Sequence, residues 1–277
     1  ILKLDKDSNL LWANENNAHH DMDVADNGDI YVLTREVSII PELNPGMPIL
    51  EDFVTILTSD GELIKSVSIL EPFIPAIFTK LWPYPGPKRG DIFHTNTLFL
   101  LKDQHNDIAP HFKDGHVLFS ILRFATIAVL DLEEEKVIWS FKDTFFAQHD
   151  PQLTENGNLL LFDNRGGGEK SRILEYDAKS MEPVWQYEGH EETPFFSRTC
   201  GSTNRLPNGN TLICESDGGR AFEVNTDREI VWEFFNPHRA GENHEYIATL
   251  FDLLRLPTDF PHDWAKKPTE EELNAPI

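Results

Sequence analysis

Hydrophobic and polar positions along the chain fall into a repeated unit: a polar-aliphatic strand, an Asn-Gly turn, then an apolar strand. The unit runs from His20 through Asn27-Gly28 to Leu33, from His149 through Asn156-Gly157 to Leu161, and from Gly201 through Asn208-Gly209 to Ile213. In each copy the leading residue lies eight positions before the turn glycine. Asn-Gly accepts the positive φ angles of a two-residue hairpin, so each copy predicts a β-hairpin. A looser copy starts at His94 and reaches its second strand at His116-Val117-Leu118-Phe119 after an insertion. A second pattern follows these hairpins and ends on tryptophan: Leu4-Asp5 to Trp12, Leu130-Asp131 to Trp139, Glu175-Tyr176-Asp177 to Trp185, and Val224-Asn225 to Trp232. Ile56 to Ile64 is a weaker copy without the Trp.

Five hairpins of the second kind and five leading strands, the fifth starting at His244, predict four strands per unit repeated radially. The expected fold is all-β: a single β-propeller of five four-stranded blades. The chain begins with an outer hairpin and ends with an inner strand, so pairing of its N- and C-terminal strands is expected to close the ring. The propeller is expected over residues 1–257 and a surface tail over 258–277, with the Pro- and Phe-rich stretch from Glu71 to Arg89 as a loop covering one face. The four tryptophans are expected to pack in the core.

Composition narrows the partners. The chain has 277 residues and a formal net charge of −23, which argues against nucleic acid or anionic lipid as the main partner. No apolar run approaches the roughly 18 residues of a membrane-spanning helix. The chain opens at Ile1 rather than Met, compatible with removal of a leader. Cys200 and Cys214 lie unequally about their turn, eight residues before Asn208 and six after it, and are expected as two thiols.

The first strand of a propeller blade lines the central channel. His20, His94, His149 and His244 stand at or near the start of four such strands, so residues distant in sequence are expected to converge on one axis. Two chemistries follow. Four imidazoles could hold a divalent transition metal; or histidine and arginine donors could stabilise a tetrahedral oxyanion, one His acting as nucleophile or base. A non-catalytic propeller that presents a face to a protein partner is the third reading, and structural roles for the individual histidines stand beside all three. His19 is expected to face solvent as the strand neighbour of His20. His105, His111 and His116 are expected as surface or lid residues, and His190, His238 and His262 as loop residues. Arg123 and Arg165 could reach an anion or form surface salt bridges. Gly166-Gly167-Gly168 lacks the phosphate-loop pattern, and Tyr246 is a candidate proton donor.

Gln148-His149-Asp150 with Phe162-Asp163-Asn164, Asp91-Ile92-Phe93-His94-Thr95-Asn96, and Gly219-Arg220-Ala221-Phe222-Glu223-Val224 together resemble the propeller-type arylsulfotransferases over about 19–257. The resemblance implies transfer of a sulfuryl group between small phenolic compounds through a His/Arg-lined central channel, with no cofactor and no nucleotide sulfate donor. It also implies an extracytoplasmic or secreted setting. By matching motif, His94 and His149 fall on family histidines and Arg165 lies nearest to the sulfate-binding arginine. Arg220 stands in the segment where the bacterial enzymes carry the nucleophilic histidine, so His149 or His94 must carry the group here.

Overall fold

The computed structural model describes residues 1–74 and 89–261. Four antiparallel four-stranded sheets follow one another in the chain, each in the simple order inner to outer. The first holds β3 (Ala18–Val24), β4 (Ile30–Ser38), β5 (Ile49–Leu57) and β6 (Leu63–Ser68), with β7 (Gly90–Asp91) parallel to β5. The second holds β8 (Thr95–Leu100), β9 (Val117–Ile121), β10 (Thr126–Asp131) and β11 (Lys136–Phe141). The third holds β12 (His149–Leu153), β13 (Asn158–Asp163), β14 (Arg172–Asp177) and β15 (Pro183–Tyr187). The fourth holds β16 (Ser202–Arg205), β17 (Thr211–Glu215), β18 (Arg220–Val224) and β19 (Ile230–Phe235). The Asn-Gly turns join the first strand to the second in blades one, three and four, and Gly28, Gly157 and Gly209 all have φ between 82° and 90°, a region costly for residues with a Cβ. Among the described residues no helix is long and apolar enough to cross a membrane.

The architecture is therefore a β-propeller with four blades, and among the described residues there is neither the expected fifth blade nor a closed ring. Among the described residues β1 (Leu2–Leu4) pairs only with β2 (Leu10–Ala13), and β20 (Arg239–Ala240) only with β21 (Tyr246–Ile247). Each half spends its bonding capacity on a different neighbour. The N-terminal hairpin docks on blade one, where Trp12 Nε1–H donates to Ser59 O (3.1 Å) and Asn14 Nδ2–H to Gly61 O (2.8 Å). The C-terminal segment docks on blade four, where Leu250 N–H donates to Ser216 O (3.2 Å) and the Cys214 thiol to Leu250 O (3.1 Å).

The apolar core lies between blades. Leu33, Val54, Phe73, Phe93, Phe119 and Ala128 pack between blades one and two. Phe112, Phe145, Leu159 and Tyr176 belong to the next layer, and Phe162, Phe195, Ile213 and Phe222 to the third. Trp139 and Trp185 pack against the second and third layers, and Trp12 against Ile30, Val32 and Leu57 of blade one, as expected. Trp232 does not: it is 40% exposed on the outer strand of blade four, beneath the Arg255 guanidinium, because no further blade among the described residues packs there. The insertion in blade two folds into the interface rather than over it. His105 is buried, its Nδ1 accepting the Lys102 N–H, and His111 stacks on Trp139 at 4.8 Å, which corrects the expectation of surface or lid histidines. Residues 75–88 of the expected covering loop, His262 and the rest of the tail lie outside the described residues.

Carboxylates bridge the innermost strands. The edge of each inner strand faces the preceding blade and would bury unpaired N–H groups there. Asp21 Oδ2 accepts from Leu98 N–H (2.9 Å) and Asp23 Oδ2 from Leu100 N–H (3.0 Å), joining blade one to blade two. Asp150 Oδ2 accepts from Thr203 N–H (2.7 Å), joining blade three to blade four. Replacing Asp150 by Ala orphans that donor and is expected to cost roughly 1–3 kcal/mol in denaturant unfolding. An unchanged midpoint would show that water replaces the carboxylate without loss.

Candidate functional site

The inner strands begin with a backbone kink at the cavity end of the propeller. His20, His94 and Asp150 have φ of 55°, 53° and 53°, left-handed values that non-glycine residues adopt at a cost. The ladders of β3 and β12 slip register across His20 and Asp150, and that of β8 just after His94, between Thr95 and Thr97, as β-bulges do. In β3 the bulge breaks the alternation of facing side chains. Both His19 and His20 therefore line the same cavity, which corrects the expectation of a solvent-facing His19.

The cavity is about 580 Å³ and lies where blades one to four converge. Its walls include His19, His20 and Asp21 from blade one, Asn96 and Thr97 from blade two, His149 and Asp150 from blade three, and Cys200, Ser202, Phe251 and Asp252 on the far side. His94 stands beside it, its ring edge-on to His20 with centroids 4.8 Å apart and its Nδ1 hydrogen-bonded to Asp91 Oδ2. Three of the four expected histidines thus converge.

His149 is held in one tautomer. Asn164 is fully buried. Its Nδ2 donates to Ser197 O (2.9 Å) and Cys200 O (2.5 Å), so its Oδ1 must be the atom 2.8 Å from His149 Nδ1. Ala147 O lies 3.1 Å from the same nitrogen. With only acceptors around it, Nδ1 carries the proton, and Nε2 is left with a lone pair. Burial lowers the His149 pKa, partly offset by the Asn164 hydrogen bond. The imidazole is neutral at pH 7.

Burial sets most of the remaining electrostatics. It pushes His19 down to about 4, with help from the Arg35 charge and His20, and pushes His20 to about 4, with help from His94 and Arg35. Burial raises Asp21 to about 6 and raises Asp52 and Asp150. On Asp91 burial also works upward, but the hydrogen bond from His94 and the nearby charges of His94, Arg35 and Arg123 outweigh it, so its carboxyl lies below the usual range.

The sequence model of the arylsulfotransferase family matches residues 1–237. The chain belongs to the arylsulfotransferase family. A search of curated protein sequences returns no match. Solved structures similar to this arylsulfotransferase-family chain include virginiamycin B lyase from Staphylococcus aureus (14% identity, 81% of this chain and 57% of that one, TM-score 0.45). The Dos1 propeller (10% identity, 85% and 53%, TM-score 0.49) and a protein of unknown function from Bacteroides caccae (13%, 83% and 87%, TM-score 0.45) are also similar. The chain spans 57% of the length of the lyase.

The remaining residues singled out from the sequence of this family member do not line the cavity. Arg165 is exposed, with its guanidinium 5.6 Å over the Phe146 ring. Arg220 is ion-paired to Glu215 (3.1 Å) and to Glu233 and lies 4.3 Å over the Phe222 ring. Tyr246 is 65% exposed on β21 and His244 is exposed in the turn before it. Among the described residues no group of three or more His, Cys, Asp or Glu is disposed to hold a metal ion. Asp52, Arg35 and the contacts of Asp91 with His94 and of Asn164 with His149 were not read from the sequence, and His19 was placed on the wrong face. Asn164 and Asp91 did carry a signal, since both stand in the motifs that bear the resemblance. Arg35, a charge inside the apolar run of β4, was visible only as a break in pattern.

Proposed function

We propose that this protein transfers a sulfuryl group from a phenolic sulfate ester to another phenol, with His149 as the nucleophile. The observation that carries this reading is the Asn164 clamp, which leaves His149 Nε2 unprotonated in a cavity that His20 also lines. Attack of Nε2 on the ester sulfur breaks the S–O bond and releases the phenolate. A second phenol then takes the group from the imidazole and restores the free enzyme. Two features support substrate binding there: Arg35, paired with Asp52 (3.3 Å) beside His19, is close enough to lower both His19 and His20 and adds positive charge near the cavity, and Phe251 offers an exposed aromatic face for a phenol ring at the cavity wall. Arg220 takes no part, since its guanidinium is already held by two carboxylates.

Incubation with a nitrophenyl sulfate and a phenol acceptor tests the reading. Nitrophenolate release and aryl sulfate formation in equal amounts are expected. Elemental analysis of the same protein, purified without added metal, separates the metal-centred alternative. Stoichiometric metal with no sulfuryl transfer would sink the proposal.

A further inference from the structure

The paired histidines of β3 form a second device in the same cavity, linked to a carboxylate beneath them. Asp52 has one oxygen occupied, Oδ2 accepting the Thr95 N–H (2.9 Å). Its other oxygen, Oδ1, is buried without a full hydrogen bond; it is ion-paired to Arg35 Nη2 (3.3 Å) and lies 3.5 Å from His19 Nε2, which has no hydrogen-bond partner either. At that distance the contact is electrostatic rather than a full hydrogen bond, and it favours the tautomer with the proton on Nε2. A neutral imidazole has one N–H, so His19 Nδ1 is then an acceptor. His20 Nδ1 lies 2.7 Å from it. Two bare nitrogens cannot approach so closely without a proton between them, and His19 has none to give there. His20 therefore carries its proton on Nδ1 and keeps a lone pair on Nε2. The groups that face His20 are His19, Arg35, Asp91, His94 and His149, and the edge-on ring of His94, fixed by Asp91, limits rotation of the His20 ring.

The geometry points to Asp52, His19 and His20 as a relay that makes His20 Nε2 the base for the acceptor phenol. The inference rests on the sulfuryl-transfer reading for its substrate. The acceptor O–H bond breaks, the proton goes to His20 Nε2, and the electron pair stays on the phenol oxygen. That oxygen bonds to the sulfur held on His149, and the N–S pair returns to His149 Nε2. In the next donor step the departing phenolate recovers the proton from His20, so no further reactant is needed. His20 is the catalytic residue; His19 and Asp52 position it and fix its tautomer.

Single-turnover measurements on the full chain separate the two half-reactions. With a nitrophenyl sulfate the leaving group departs readily as an anion, so His20→Gln is expected to slow sulfation of the enzyme by less than about tenfold. The acceptor step should fall by roughly 100-fold or more at pH 7, with recovery above the acceptor's own pKa. His19→Gln is expected to lower the acceptor step and to move its pH profile. It is the variant to rely on where Asp52→Asn disturbs folding through Thr95. Nitrogen NMR of the wild-type imidazoles should show His19 protonated on Nε2 and His20 on Nδ1. Equal losses in both half-reactions, or a His20 proton on Nε2, would overturn the relay. The predicted tautomers in a wild-type protein that never becomes sulfated would uphold the relay and overturn the sulfuryl reading instead.

Discussion

Replacing His149 by Ala is expected to lower transfer from an aryl sulfate by about three orders of magnitude or more, because a group that acts as covalent carrier has no substitute. In wild-type protein quenched during turnover with donor alone, the peptide containing His149 should gain one sulfuryl mass. The same peptide in the Ala variant should not. Asn164→Ala should give an intermediate loss, since the imidazole survives but nothing fixes its tautomer. Arg220→Ala should behave differently. Its side chain is 11% exposed between Glu215 and Glu233, so its loss strands buried charge and destabilises the fold by about 3 kcal/mol or more, while folded enzyme keeps its rate. Sulfuryl found on His94 with none on His149 would remove His149 from the role assigned to it.

The hairpin grammar of the chain was readable because turn chemistry and strand period are local. Asn-Gly at Asn27-Gly28, Asn156-Gly157 and Asn208-Gly209 sits at the turn joining the first two strands of three blades. Closure of the ring was not readable. It depends on whether β1 and β2 meet the segment around Leu250, and those segments bond instead to blades one and four. The same distinction holds in the site. His94 and His149 stand at strand starts and in motifs, and the structure puts His149 in the cavity wall and His94 beside it. His19 was misplaced because alternation predicts opposite faces for neighbours, and the φ of 55° at His20 cancels that rule. Asp52 and Arg35 come from strands β5 and β4, beneath the cavity, where only packing brings them to His19. Arg220 shows the converse: its place in a family motif says nothing of the two carboxylates that occupy it.

Stability should depend on pH through two sets of cavity groups with opposite signs, which single substitutions can separate. His19 titrates near 6.5 when unfolded and at about 4 in the fold. Between those values the unfolded chain binds more protons, so stability present above pH 6.5 is lost as pH falls toward 4. For this mostly buried ring the loss is at most about 3 kcal/mol. His20 shifts in the same direction, but its ring opens onto solvent in the cavity and solvent screening reduces its share. Asp21 works the other way. Its folded pKa of about 6 lies above the unfolded 3.8, so the fold holds a proton that the unfolded chain has released, and its contribution falls as pH rises through that window. His19→Gln should therefore flatten the loss of stability between pH 7 and 4, whereas Asp21→Asn should steepen it by removing the opposing group. Urea unfolding at several pH values reads both slopes. Parallel curves for wild type and His19→Gln would mean that His19 titrates alike in both states, and the burial argument for its neutral tautomer would fall with them.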